Sequence, residues 1–406
     1  MSRRSIRPKP QRRTLDRAES PAKTTGRANS RARRSQKVWA IAAFLGVLVA
    51  GAAAWEFAPE DPDKARDRAE TAAKKGDWES ALSSWRVVNG SLRGDARSTL
   101  GEARALLALG QAAKAERLLI EVCRLSADEP EPWRLRLELL HMEAREIESL
   151  KVGWEAFDSV PAPRRREVLK ALTLALLADE PDDLVRETLR RWVAADPTDA
   201  DAVAALYRRI APEPRMGDPD IHTRILTLRT LLDADPGHVD VREALVWTLS
   251  DAGEIDRGRA LLDSWPKTAR DARYDRLRGR WDLDYDDLRE EAVAAFERVL
   301  AVLPHDWKTL ARLSRALRFL NRDAEARDAA ARVSLLRERL DPARLGRRLD
   351  RDLAKLDDPK SRLDLAELCS SVGLDRLASA WRADASERDR FSPLLSPSPR
   401  VPSRRL

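Results

Sequence analysis

Pro161, Pro197, Pro236, Pro266, Pro304 and Pro342 recur at intervals of 36, 39, 30, 38 and 38 residues. A proline inside a helix removes a backbone hydrogen bond and clashes with the preceding turn, so each of these marks the edge of a helix. The segments between them are rich in alanine, leucine and arginine, which favour helix, and none shows the sustained alternation of a strand. A segment of that length is a helix pair, too small to bury a core alone. Stacking neighbouring pairs buries one continuously. The length of 406 residues therefore does not count domains.

Turn chemistry repeats with the same rhythm. Gly76-Asp77-Trp78-Glu79-Ser80-Ala81 reads as a short turn entering a second helix, with Trp85 four residues after Ala81. Gly110-Gln111-Ala112, Gly253-Glu254-Ile255 and Gly373-Leu374-Asp375 repeat the device, and Asn321-Arg322-Asp323 places asparagine where positive φ is tolerated. In the clearest unit Ala292, Phe296 and Pro304 follow Tyr274 and Leu277, with Arg278 where a glycine is expected. On these residues the chain resembles the tetratricopeptide repeat family, whose period is roughly 34 residues. The resemblance implies an all-α, right-handed α-solenoid of helix hairpins and, with it, protein–protein binding. About nine units fit between Pro62 and Ala385, those near 133–161, 166–199 and 201–236 lacking the turn glycine. The register puts Ala292 at the close helix crossing and Ala295 away from it, in an elongated array.

The basic excess is local. Residues 1–37 carry 13 Lys or Arg against Asp16 and Glu19, whereas the whole chain has a net charge of +7, so the remainder is slightly acidic. A charge confined to a tail does not make the repeat body a nucleic-acid binder, and nucleic acid is not an expected partner. Residues 1–37 have too few apolar side chains for a core and read as a disordered cytoplasmic tail. Val38 to Trp55 then runs 18 residues without a charge, with a tryptophan at each end. The segment 38–57 reads as one transmembrane helix, contacting the lipid bilayer, ahead of a linker at 58–61. Ala52-Ala53-Ala54 would also suit a cleaved signal peptide, but the basic region before it is long for one. Arg3-Arg4 and Arg33-Arg34 lack the apolar residues that a twin-arginine signal needs. The positive flank keeps the N-terminus in the cytoplasm and places the repeats, 62–390, in the periplasm of a bacterial-type envelope, on the inner membrane. Residues 391–406 are rich in Pro, Ser and Arg and read as a mobile tail.

Catalytic signals are absent. His141, His222, His238 and His305 have no spacing that pairs two on one helix face, and His238 and His305 follow turn prolines where exposure explains them. Cys123 and Cys369 lie many repeats apart, too far to bond in an extended array, and read as buried inert thiols. There is no Gly-rich phosphate loop and no nucleophile elbow. The expectation is no catalytic residue, no metal, no cofactor and no small-molecule substrate.

Of the 12 tryptophans, Trp78, Trp85, Trp133, Trp192, Trp265 and Trp307 fall at or beside helix seams. Trp247 differs: Leu245 and Leu249 lie on the packing side of its helix, while Asp240, Glu243, Trp247 and Ser250 share another face. In the family that face lines the concave groove. Lys308, Arg312, Arg315 and Arg318 give the corresponding face of a later unit a basic character, partly similar to the carboxylate clamp of some family members. Glu243 and Trp247 stand where such a clamp would need lysine and asparagine. The candidate groove residues are thus Glu243, Trp247, Lys308, Arg312 and Arg315, receiving other proteins or peptides. The expected role is a membrane-anchored scaffold or assembly factor. The alternatives are a non-catalytic subunit that positions an envelope enzyme, or a cytosolic protein whose basic tail binds nucleic acid.

Overall fold

The computed structural model describes residues 61–92, 94–178, 182–210 and 218–389. The expected tail at 1–37, the apolar segment 38–57, the linker to residue 60 and the tail at 391–406 lie outside them. Among the described residues there are nineteen α-helices, two short 3-10 turns and no strand. None of these helices is long and apolar enough to cross a membrane.

Helices α1 (Pro62–Lys74) and α2 (Trp78–Ser91) form the first hairpin, and α3 (Ala96–Ala108) and α4 (Ala112–Leu125) the second. Three helices, α5 (Pro130–Met142), α6 (Glu146–Ser159) and α7 (Arg165–Leu177), pack on one another. They are followed by α8 (Asp182–Ala195), α9 (Ala200–Ile210), α10 (Ile221–Ala234), α11 (Val239–Asp251) and α12 (Ile255–Asp263). The last third is regular: α13 (Ala272–Asp284) with α14 (Arg289–Val302), α15 (Trp307–Phe319) with α16 (Asp323–Arg339), then α17 (Pro342–Leu353), and α18 (Pro359–Ser371) with α19 (Asp375–Asp389).

The boundaries follow from local chemistry. Asp61, Asp77, Asp95, Asp306 and Asp341 each accept a backbone N–H of the helix that they precede, an N-cap that stabilises by about 1 kcal/mol. Proline occupies the first turn of α1, α17 and α18, where its missing N–H costs nothing. The hairpin-turn residues Gly76, Gly110, Gly253, Gly373 and Asn321 all take positive φ, between 56° and 91°. The α5–α6 turn lacks glycine and makes the same bend with Ala144 at φ 54°.

Packing of the clear unit corrects one expectation. Phe296 is fully buried, and a Cβ added at Gly279 would lie 2.8 Å from its ring and 3.1 Å from the Ala295 methyl. Ala292 is fully buried as expected, but Ala295 is only 1% exposed. A helix covered both by its hairpin partner and by a neighbouring unit buries a wider arc than one crossing requires. The seam tryptophans Trp85, Trp133, Trp192 and Trp265 are buried, and Trp78 and Trp307 partly so.

Contacts are not confined to consecutive helices, as they would be in a simple stack. Helix α7 packs on α19: the Trp381 indole N–H donates to Thr173 Oγ1 at 3.0 Å, and Arg166 Nε to Asp384 at 3.0 Å. Leu169 and Leu172 share a core with Leu365, Leu377 and the fully buried Trp381.

Candidate functional site

The α5–α6 turn is tied by ion pairs to α4 and α9. Arg145, next to Ala144, sends Nη1 to Glu116 at 2.8 Å and to Glu143 at 2.9 Å, with Asp201 at 3.7 Å. On α9, Arg208 donates Nη2 to the Glu143 carbonyl at 2.9 Å and pairs with Glu243 of α11. Arg273 of α13 binds Asp240 at 2.8 Å, Asp271 at 2.7 Å and Glu148 of α6 at 3.0 Å. Arg276, one turn further along α13, binds Glu146 at 3.1 Å and lies 3.1 Å from Asp306. The first turn of α6 is therefore held by guanidinium groups from units more than a hundred residues away in sequence.

Electrostatics within this spine follow burial. Desolvation pushes the carboxyls of Glu143 and Asp201 above their ordinary values, against the pull of Arg145. Burial also acts to raise Asp240, but Arg208 and Arg273 together hold that carboxyl below its usual range. Two groups, Asp201 with His238 and Asp240, and Glu116 with Glu143 and Asp201, have ligand atoms within 4.8 Å of one another. The guanidinium groups of Arg145, Arg208 and Arg273 already supply the positive charge that these carboxylates need. His238 is half-buried rather than exposed: its Nδ1 accepts from the Val241 N–H at 3.4 Å, capping α11.

Of the five groove residues expected from sequence, three line one cavity. Trp247, Lys308 and Arg312 border a space of about 390 Å³ together with Arg276, His305 and Trp307. Its apolar wall is Leu176 and Leu177 from the end of α7 with Leu340 and Leu345. Glu243 is a correction: it is 3% exposed and neutralised by Arg208, because the chain's own α5–α6 turn and α9 cover that part of the face. Asp240 and Ser250 are buried on the same face, Ser250 with the Tyr285 hydroxyl at 3.1 Å. Arg315 lies outside this cavity's lining and pairs with Asp284.

Around the cavity, the Arg280 guanidinium stacks on Trp247 at 4.3 Å from the ring centroid, and Arg312 lies 6.0 Å from the same ring. Arg337 sits 5.3 Å from the Trp307 ring. Burial, and then repulsion from Arg280, lowers the affinity of Arg312 for its proton. His305, expected at the surface, is half-buried; its Nδ1 has no hydrogen-bond partner among the described residues, and burial lowers its pKa. Arg276, Arg280 and His305 were not legible as site residues; the spacing of Arg276 and Arg280, one turn apart on α13, is the only signal that pointed to them.

A larger, more apolar cleft of about 800 Å³ lies among α5, α7 and α8, bordered by His141, Met142, Leu174 and Leu184. It holds none of the expected groove residues. His141 Nδ1 is 3.0 Å from the Ala175 carbonyl. Cys123 and Cys369 are free and buried, and burial pushes both thiols up to about 12, which leaves them protonated and unreactive.

A tetratricopeptide repeat family model matches residues 225–280, which cover α11, α12 and parts of their neighbours. Among solved structures, the APC/C hetero-tetramer Cut9–Hcn1 is similar at 17% identity, over 78% of this chain and 58% of that one, with a TM-score of 0.37. Human IFIT1, solved as a dimer with m7Gppp-AAAA, is similar at 16% identity over 82% and 72%, TM-score 0.31. A tetratricopeptide repeat protein from Parabacteroides merdae matches at 13% identity over 63% and 98%, TM-score 0.29. The chain thus spans less than two thirds of the Cut9–Hcn1 chain that it matches. No curated protein matches in sequence.

Proposed function

We propose that this chain is a non-catalytic docking scaffold that receives a segment of another protein in the cavity between α11, α13 and α15. The observation that carries this reading is the convergence of Trp247 of α11 with Lys308 and Arg312 of α15 on one open space. A cavity built on rigid helices binds a segment with little ordering of its own, so the partner bears most of the entropic cost. The uncharged run Val38 to Trp55 and the basic residues before it support a single-pass inner-membrane protein with its repeats on the periplasmic side.

Two measurements test this. A photo-cross-linking amino acid at Lys308, in the full chain in its host, should yield a discrete protein adduct; one at Leu226, 67% exposed and outside the cavity lining, should not. The same adduct from both sites, or none from Lys308, would count against docking at the cavity. A C-terminal alkaline phosphatase fusion should be active, and an inactive fusion would reject the topology.

A further inference from the structure

We propose that the cleft among α5, α7 and α8 is a binding site for a small, uncharged, mainly apolar molecule that carries one hydroxyl group. It is separate from the docking cavity, since among the described residues the two linings share only Ala178. Its volume of about 800 Å³ falls in the range of small-molecule sites. Local sequence explains the hollow. Ala171, Ala175 and Ala178 follow one another at i, i+4 and i+7 along α7 and its C-cap, so one line of that helix carries only methyl groups. Met142, Leu174 and Leu184 complete the apolar lining. Leu184 is 55% exposed, an apolar side chain left at the edge of an apolar hollow.

Charge and hydrogen bonding narrow the ligand. On the α5 side Arg134 is paired with Glu138. On α7, Glu167 and Lys170 stand one turn apart and contribute one charge of each sign. The lining is thus neutral in sum, and a charged ligand would lose its hydration there without a net counter-charge in return. One polar atom is unused. His141 Nδ1 lies 3.0 Å from the Ala175 carbonyl, which only accepts, so Nδ1 carries the proton. In the neutral ring Nε2 is then an acceptor, and it has no partner among the described residues. A hydroxyl donates to such a nitrogen, whereas an ether or a hydrocarbon has nothing to donate. The bond to Ala175 also fixes the ring, so the acceptor is held in place before a ligand arrives.

The test uses the full chain in lipid nanodiscs and a diazirine derivative of dodecanol, with the labelled peptides mapped by mass spectrometry. Label should concentrate in α5, α7 and α8. Unlabelled dodecanol should displace it at a concentration about fivefold lower than dodecyl methyl ether does, the difference that one hydrogen bond makes. Dodecanesulfonate, an anion, should compete less well than dodecanol. His141→Asn keeps a donor for the Ala175 carbonyl and removes the Nε2 acceptor, so in that variant alcohol and ether should draw level. Comparing the two chains cancels uptake of the competitors by lipid. Leu184→Gln, at an exposed position, should lower labelling about threefold, and Leu226→Gln, outside the lining, should leave it unchanged. Melting temperatures equal to that of the parent chain separate loss of the site from loss of fold. Label spread along the chain, or unmoved by excess dodecanol, would overturn the site. An alcohol-to-ether ratio unchanged in His141→Asn would overturn the hydroxyl, and dodecanesulfonate as effective as dodecanol would overturn the neutral ligand. The Lys308 cross-link should persist in Leu184→Gln, so this site and docking stand or fall separately.

Discussion

Two stretches of the same helix face meet opposite fates. Along α9 and α11, Arg208 is engaged by Glu243 and by the Glu143 carbonyl, and Arg145 from the α5–α6 turn holds Glu116 and Glu143. Along α13 and α15 the cations continue, but Arg312 and Lys308 are left facing a cavity. Both stretches carry half-buried arginines, Arg208 in the first and Arg312 in the second. What differs is whether the chain provides its own counterions, so an inward-facing charged residue is not by itself an open one.

Arginine replacements should break the two stretches apart. Arg145→Met strands Glu116, Glu143 and Asp201 without their cation, and loss of one partner from a buried ionic group costs about 3 to 5 kcal/mol. Urea denaturation should register it as a lower midpoint, and an unchanged midpoint would mean that the turn does not seal the face. The pH dependence is smaller. Glu143 and Asp201 have carboxyls raised by burial above the ordinary 4.5 and 3.8, so the folded state binds protons that the unfolded state has released. Stability from these groups is complete below those values and falls as pH rises through the raised ones. Denaturation midpoints should decline as pH rises above the ordinary carboxylate range, with a shallower slope in Glu143→Gln.

Next comes the turn itself. Ala144 holds a left-handed conformation, φ 54°, that glycine adopts without strain. Ala144→Gly should gain from a few tenths to about 1 kcal/mol, offset in part by the extra freedom of glycine in the unfolded chain. A loss of stability would show that the methyl group, not the turn geometry, matters there. Smallest of all is Arg312→Met, which should leave the melting temperature within the change expected for about 0.5 kcal/mol in either direction. A large loss would place Arg312 in the fold rather than in a binding seat.

Local features were the legible ones. Gly76, Gly110, Gly253, Gly373 and Asn321 announce left-handed turns by residue type, and the spaced prolines announce helix edges. The seam tryptophans and Ala292 follow from periodicity, as does the shared direction of Trp247, Lys308 and Arg312. Glu243 and Ala295 were misplaced for one reason: helical spacing says which way a side chain points but not what the rest of the chain puts there. The segment covering Glu243 includes a turn a hundred residues earlier, and the ion pairs between α6 and α13 span 125 and 130 positions. Ala144 gave no warning, because alanine, unlike glycine or asparagine, does not signal a left-handed turn.

The bond between Trp381 and Thr173 spans 208 residues. On a ribosome adding about 5 to 20 residues per second, the apolar side of α7 emerges roughly 10 to 40 seconds before the helix that covers it. Leu169 and Leu172 must wait out that interval without their final neighbours, whereas α1 and α2 can close as soon as both are made. The nascent chain therefore carries an adhesive surface for about half of its synthesis, and a chaperone that shields α7 should raise the folded yield more than one acting on the first hairpins.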